Sequence, residues 1–264
     1  MIQGIGNKIL KRLLQNNINN VNQLASVEVK ELQEILPNIS PQMIEKLIFN
    51  ARLYLERAII IKQPFSLPKP QDVIYFDLES TTEPPRKVFL ATYATLKDLY
   101  SVFEERNEPK KLVTKTQIFF DTHPQKFLMS SSGNSWDYHA LINTFKKEKM
   151  DHSMISNRIH IDLFNELKES IVSPVGLGIK NLSKFLGFTG FDKLKEKDKR
   201  INGYVVAKIY ESGKYSKNKK ELIIRYNQLD VEALRFIHLS LIMLLNQRPR
   251  GKVYLSDFST PKTI

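Results

Sequence analysis

Pro64, Pro68 and Pro70 fall within KQPFSLPKPQD, residues 62–72, and no continuous helix passes through such a stretch. Each proline lacks a backbone donor and crowds the preceding turn. The segment reads as an extended linker, placed at residues 62–71, and it separates two textures of sequence. Before it, residues 1–61 carry the 3.6-residue periodicity of short helices, with turn signals at GIG (4–6), NNINN (16–20) and LPNIS (36–40). That part reads as all helical.

After the linker the pattern changes to β-branched and aromatic runs, VIYFDLES, VFLATYAT and QIFFDT, which read as successive strands. Helical periodicity follows at residues 138–148, 162–171, 179–187, 203–212 and about 220–246. Strands and then helices sharing one core predict an α/β domain over residues 72–250, with helices packed on a sheet. Residues 251–264 form a tail with little pattern.

Within VIYFDLES, Asp77 and Glu79 are two residues apart on a strand, so both side chains point to the same face. Two carboxylates in an otherwise apolar strand repel one another and lose hydration unless a cation neutralises them. In YNQLDVEALRFIHLSLIMLL, Leu229, Ala233, Phe236, Ile237, Ser240 and Leu244 outline a buried helical stripe. Tyr226 and Asp230 lie four apart and share one helical face. Asp137 follows the Ser/Gly/Asn turn of SSSGNSWDYHALINTF; a carboxylate there serves equally as a cap on the helix or as a ligand held ionised by the helix N-terminus.

The composition narrows the chemistry. Forty Lys and Arg against 28 Asp and Glu give a net charge of +12, which favours nucleic acid as the partner class. Lysine clusters lie at 146–149, 193–200 and 214–220. With no cysteine, any metal must be held by oxygen or imidazole ligands. No apolar run approaches the roughly 18 residues of a membrane span, and the first residues lack a secretory signal pattern, so a cytoplasmic protein without membrane association is expected.

Taken in order, the Asp77-x-Glu79 strand, the Gly133-x-x-x-Asp137 helix start, the GLGIKNLSKFLG segment and the final Tyr226-x-x-x-Asp230 resemble the DEDD 3′–5′ exonucleases of the ribonuclease H-like superfamily. Tyr226 places the resemblance in the tyrosine subgroup, and the chain looks most like the YprB-type ribonuclease H-like domain. Relatives usually carry Asn-Gly-x-x-Phe-Asp in the second block, where this chain has Ser132, Gly133, Asn134, Ser135, Trp136 and Asp137. The resemblance implies a ribonuclease H-like mixed sheet flanked by helices. It also implies two Mg²⁺ or Mn²⁺ ions held by Asp77, Glu79, Asp137 and Asp230, with Tyr226 orienting the attacking water. Nucleic-acid contacts are implied at Asn134 and Lys180. Asp162 is expected to support the site rather than to bind metal.

The GIG turn followed by Lys8 resembles a helix-hairpin-helix, with PNIS as a degenerate second hairpin. Glycine lets the backbone approach closely, and free N–H groups at a helix start hold a phosphate, so Gly4, Ile5, Gly6 and Lys8 are the expected contacts. The expectation is a metal-dependent 3′–5′ exonuclease acting on nucleic acid, DNA favoured over RNA. A catalytically inactive nucleic-acid-binding module and a structure-specific endonuclease are the alternatives.

Overall fold

A computed structural model describes residues 2–105, 108–194 and 201–257. Four helices open the chain: α1 (Asn7–Gln15), α2 (Val21–Ser26), α3 (Val29–Ile35) and α4 (Pro41–Leu55). Asn20 and Ser40 cap α2 and α4 through their side chains, which is why the polar turns stop one helix and start the next. Leu13, Leu24, Leu32, Ile44, Leu47 and Ala51 close this unit around its own small core. Burying each large aliphatic contributes about 1.5–3 kcal/mol.

The segment expected to be all helical ends in a strand, β1 (Ala58–Ile61). Three consecutive isoleucines restrict χ1 and favour extended backbone, and that local preference overrides the helical pattern before it. The main sheet is built from β2 (Val73–Ser80), β3 (Val88–Ala94), β4 (Leu99–Phe103), β5 (Phe127–Ser130) and β6 (Ile159–Asp162), in the order β4-β3-β2-β5-β6. The first three strands are antiparallel, while β5 and β6 run parallel to β2.

Between them lie α5 (Pro109–Thr122), α6 (Trp136–Lys147) and α7 (Ser153–Ser156). The QIFFDT run, expected as a strand, is the last part of α5. Its apolar residues continue the spacing Leu112, Val113, Thr116, Phe119, Phe120, all buried, so six residues read alone conceal a helical period. Beyond β6 come α8 (Leu163–Ser170), β7 (Ile171–Val172), α9 (Ile179–Leu186), α10 (Gly203–Ser212) and α11 (Lys217–Gln247). The expected helices are all present, with ends displaced by up to three residues. Part of the 193–200 lysine cluster, residues 195–200, lies outside the described residues.

One face of β2 carries Ile74, Phe76 and Leu78 against a core shared with α5 and α6. The other carries Val73 and Tyr75 against α9 and α11. Tyr75 also bonds the buried His238 of α11 (Oη to Nδ1, 2.7 Å), pinning that helix across the strand. The tail is not patternless either: β8 (Gly251–Tyr254) pairs along all of β1, whose other edge meets β7. The helical unit is thus stitched to the rest through a second, three-stranded sheet.

Candidate metal centre

On β2, Asp77 and Glu79 occupy the same face as Val73 and Tyr75, and therefore turn towards α11. A register shift between Glu79 and Ser80 disturbs the β2–β3 ladder beside them, a bend of the kind that re-aims side chains next to sites. Asp230, arriving from α11, completes a group in which one carboxylate oxygen from each of Asp77, Glu79 and Asp230 lies within 4.8 Å of the others. Glu79 and Asp230 are buried.

Asp137 is outside that group of three but close enough to act on it electrostatically. Its position depends on the turn before α6. Asp162 accepts hydrogen bonds from the backbone N–H of Gly133 (3.2 Å) and Ser135 (2.9 Å), from the Ser132 hydroxyl (3.4 Å), and from Phe164 N–H (3.2 Å). These bonds occupy its oxygens and hold the turn. Gly133 has φ +78, and a Cβ there would meet the Phe164 ring at 3.1 Å, so glycine is what this turn permits. Ser135, not Asp137, is the residue at the helix cap, and it adopts a left-handed conformation. Asp137 in the first turn is left to face the cluster.

Crowding four acids has the expected electrostatic result. Burial, and then the charges of Asp137, Asp230 and Glu79, push the Asp77 carboxyl well above the usual range. Glu79 is pushed up to about 8, first by burial and then by Asp230. Burial raises Asp137 and Asp230 to about 6 each. Lys180, one turn into the GLGIKNLSKFLG segment on α9, opposes these shifts. Its ammonium hydrogen-bonds the Tyr226 hydroxyl, lies 4.0 Å from the centre of that ring, and is 3.6 Å from Asp230. Burial and the nearby carboxylates raise the Tyr226 phenol too, so it stays protonated.

Two observations bear on a cation. Asp230 Oδ1 is buried with no hydrogen-bond partner, an expensive arrangement for a charged oxygen. The donor set is carboxylate alone, which suits hard divalent ions such as Mg²⁺ and Mn²⁺. The residues fit such an ion.

One residue of the cluster escapes sequence reasoning. Asn227 is fully buried on α11 and donates from Nδ2 to Asp77 Oδ2 at 2.5 Å. Its signal is faint: an amide one helical turn before Asp230, on a helix buried nearly all round. Because outer-shell partners typically tune metal affinity by 10–100-fold, Asn227→Ala is expected to weaken Mn²⁺ binding by about tenfold or more. Titration calorimetry reads this directly, and unchanged affinity would show that Asp77 needs no orientation.

The remaining predicted contacts lie elsewhere. Asn134 is exposed on the turn before α6, its Oδ1 accepting from Trp136 N–H at 3.1 Å. Gly4, Gly6 and Lys8 are exposed and Ile5 half-buried on the helical unit. Gly4 has φ +94, and a Cβ there would stand 2.9 Å from Leu47 Cδ2, so this turn packs directly on α4. Gly6 precedes α1 with no side-chain cap, which leaves the first N–H groups of that helix available.

Comparison with known proteins decides the family. A family model described as the RNase_H superfamily matches residues 74–242. The chain belongs to the RNase H superfamily. Residues 1–53 match a second model, the SAM-like helix-hairpin-helix tandem, which makes both expected hairpins part of one tandem unit. No curated protein matches the chain. Among solved structures, the family B DNA polymerase from the hyperthermophilic archaeon Pyrobaculum calidifontis is similar at 17% identity and a TM-score of 0.49. The likeness covers 69% of this chain and 25% of the polymerase. This RNase H superfamily domain, joined to a helix-hairpin-helix tandem, points to nuclease chemistry on nucleic acid. Among the described residues no helix is long and apolar enough to cross a membrane.

Proposed function

We propose that the protein is a metal-dependent 3′–5′ exonuclease, with DNA favoured over RNA, and that Asp77, Glu79, Asp137 and Asp230 hold two Mg²⁺ or Mn²⁺ ions. The observation that carries this reading is the meeting of three carboxylates within 4.8 Å, one of them with an orphaned buried oxygen. Bound divalent ions would supply charge neutralisation at the phosphate and acidify a water. The chain's own residues do the rest. Asn227 fixes the rotamer of Asp77. Tyr226, protonated at every working pH, donates or accepts a hydrogen bond and so orients the attacking water without titrating. Lys180 and Asn134 contact the substrate strand, and the start of α1 at Gly4, Ile5, Gly6 and Lys8 grips phosphate without reading sequence.

Tyr226→Phe is expected to lower kcat by roughly a hundredfold, the scale of losing a group that positions the attacking water, while Mn²⁺ affinity stays within about twofold. Joint loss of both would make the phenol a ligand. The reading as a whole is tested with end-labelled DNA and RNA oligonucleotides in Mg²⁺ or Mn²⁺. Stepwise shortening from the 3′ end is expected, and internal cuts or no cleavage would contradict it. Deleting residues 1–61 is not the right control for the helical unit, since β1 belongs to the second sheet. Lys8→Gln is milder: it should weaken DNA affinity and reduce the salt slope by roughly 0.7–0.9.

A further inference from the structure

Between the helical unit and α9 runs a groove of about 400 Å³, lined by Tyr54, Arg57, Val175, Asn181, Lys184 and Phe185. We propose that this groove carries the phosphodiester backbone of the bound strand between the helix-hairpin-helix unit and the acid cluster. The inference rests on the nuclease reading and adds a second, separate binding surface to it.

Charge is the first argument. The lining holds two cations and no carboxylate. Several basic side chains elsewhere are neutralised by acids, Lys87 with Glu104, Lys208 with Glu211 and Arg225 with Glu232. Glu56, the acid beside Arg57 in sequence, is engaged by Lys252. Among the described residues neither Arg57 nor Lys184 meets a carboxylate, and both are exposed. Two unneutralised cations lining one concave surface favour a polyanion.

Continuity is the second. Val175, in the wall, forms a β-bridge with Ile2, and Gln3 N–H donates to Pro174 O at 2.8 Å. The Gly4–Gly6 turn therefore begins at one end of the groove. At the other, Lys184 and Lys180 are four residues apart on α9 and share a face, about 6 Å apart along the axis. Lys180 already touches Tyr226. A strand lying along α9 thus passes from Lys184 to Lys180 and onto the carboxylates.

Backbone geometry is the third. Arg57 has φ +48, an uncommon conformation for a residue with a side chain, and it is held there from both sides. Its N–H donates to Tyr54 O at 3.1 Å, and its carbonyl accepts from Leu255 N–H at 2.8 Å. The residue that follows β8 thereby fixes the direction in which Arg57 leaves the chain. Tyr54 packs on Phe185 with ring centres 5.7 Å apart, forming an apolar floor under the two cations.

The test uses the full chain carrying Asp77→Asn, so that substrate is not consumed, and measures the Kd of fluorescent DNA and RNA oligonucleotides over a range of salt. Adding R57Q and K184Q should raise Kd by about tenfold or more. It should also reduce the slope of log K against log salt by about 1.4–1.8, the release expected for two phosphate contacts. K110Q with K115Q, on α5 across the sheet, serves as the comparison for simple loss of charge, and K184R should restore one contact. If the two double variants bind alike, the groove is not on the path and the nuclease reading stands. If the Asp77→Asn protein itself binds no oligonucleotide, both fall. Melting temperatures within a few degrees of the parent confirm that all variants are folded.

Discussion

Asp77→Asn is expected to cleave DNA at least about a thousandfold more slowly than the parent, yet to melt at a higher temperature when both are metal-free. The first half follows from position. Asp77 sits between Glu79 on its own strand, Asp230 on α11 and Asp137 on α6, and is the carboxylate on which the other three act. On the proposed reading, losing it would remove several kcal/mol of charge stabilisation from the reaction, and each 1.4 kcal/mol is a factor of ten. The second half follows from the same crowding. An amide keeps the shape and the bond to Asn227 while replacing a group that must either take up a proton or stay as a buried like charge, which relieves a cost on the order of 1–3 kcal/mol. Inactivity combined with lower stability would mean that Asp77 serves the fold instead.

The metal-free protein is expected to lose stability as pH rises from about 6.5 to about 8, and divalent metal is expected to reverse the loss. Carboxyls whose folded-state pKa lies above the unfolded value add stability that is complete below the unfolded pKa, near 4. This contribution disappears as pH climbs through the folded values, about 6 for Asp137 and Asp230 and about 8 for Glu79. His160 and His238, lowered to about 4 by burial, act in the opposite sense up to their unfolded value near 6.5, so melting temperature should fall above about pH 6.5, and the fall should be shallower in Asp77→Asn. Metal needs the ionised carboxylates, so its stabilisation grows in the same direction. At a hundredfold excess over Kd it reaches about 2.7 kcal/mol, or roughly 5–10 °C for a domain of this size. A melting temperature that rises between pH 6.5 and 8 without metal, or ignores Mn²⁺ at pH 8, would contradict the picture.

How much of this the amino-acid sequence discloses depends on how local the signal is. Asp77 with Glu79 and Tyr226 with Asp230 are legible because strand and helix periods alone place each pair on one face. Asp137 is legible as to place but not as to role, since the residue that caps α6 is settled by a left-handed Ser135 and by the bonds Asp162 makes to the turn. Asn227 is hidden because α11 is apolar on several sides, so that period does not reveal which polar residue points at β2. The helix misread as a strand at 117–122 shows the same weakness of short apolar runs. Strands β1 and β8 pair across nearly two hundred residues, and nothing local in GKVY announces a partner at AIII. Lys180 is marked by its segment as a contact for nucleic acid, but its seat against Tyr226 and Asp230 depends on how α9 packs on α11.

The most direct measurement is anomalous diffraction from crystals grown with Mn²⁺. The account predicts manganese bounded by the carboxylates of Asp77, Glu79 and Asp230, with Asp137 facing a second ion beside Asp77. Crystals soaked at pH 8 that show no manganese among these four side chains, or show it held by other residues, would contradict the account.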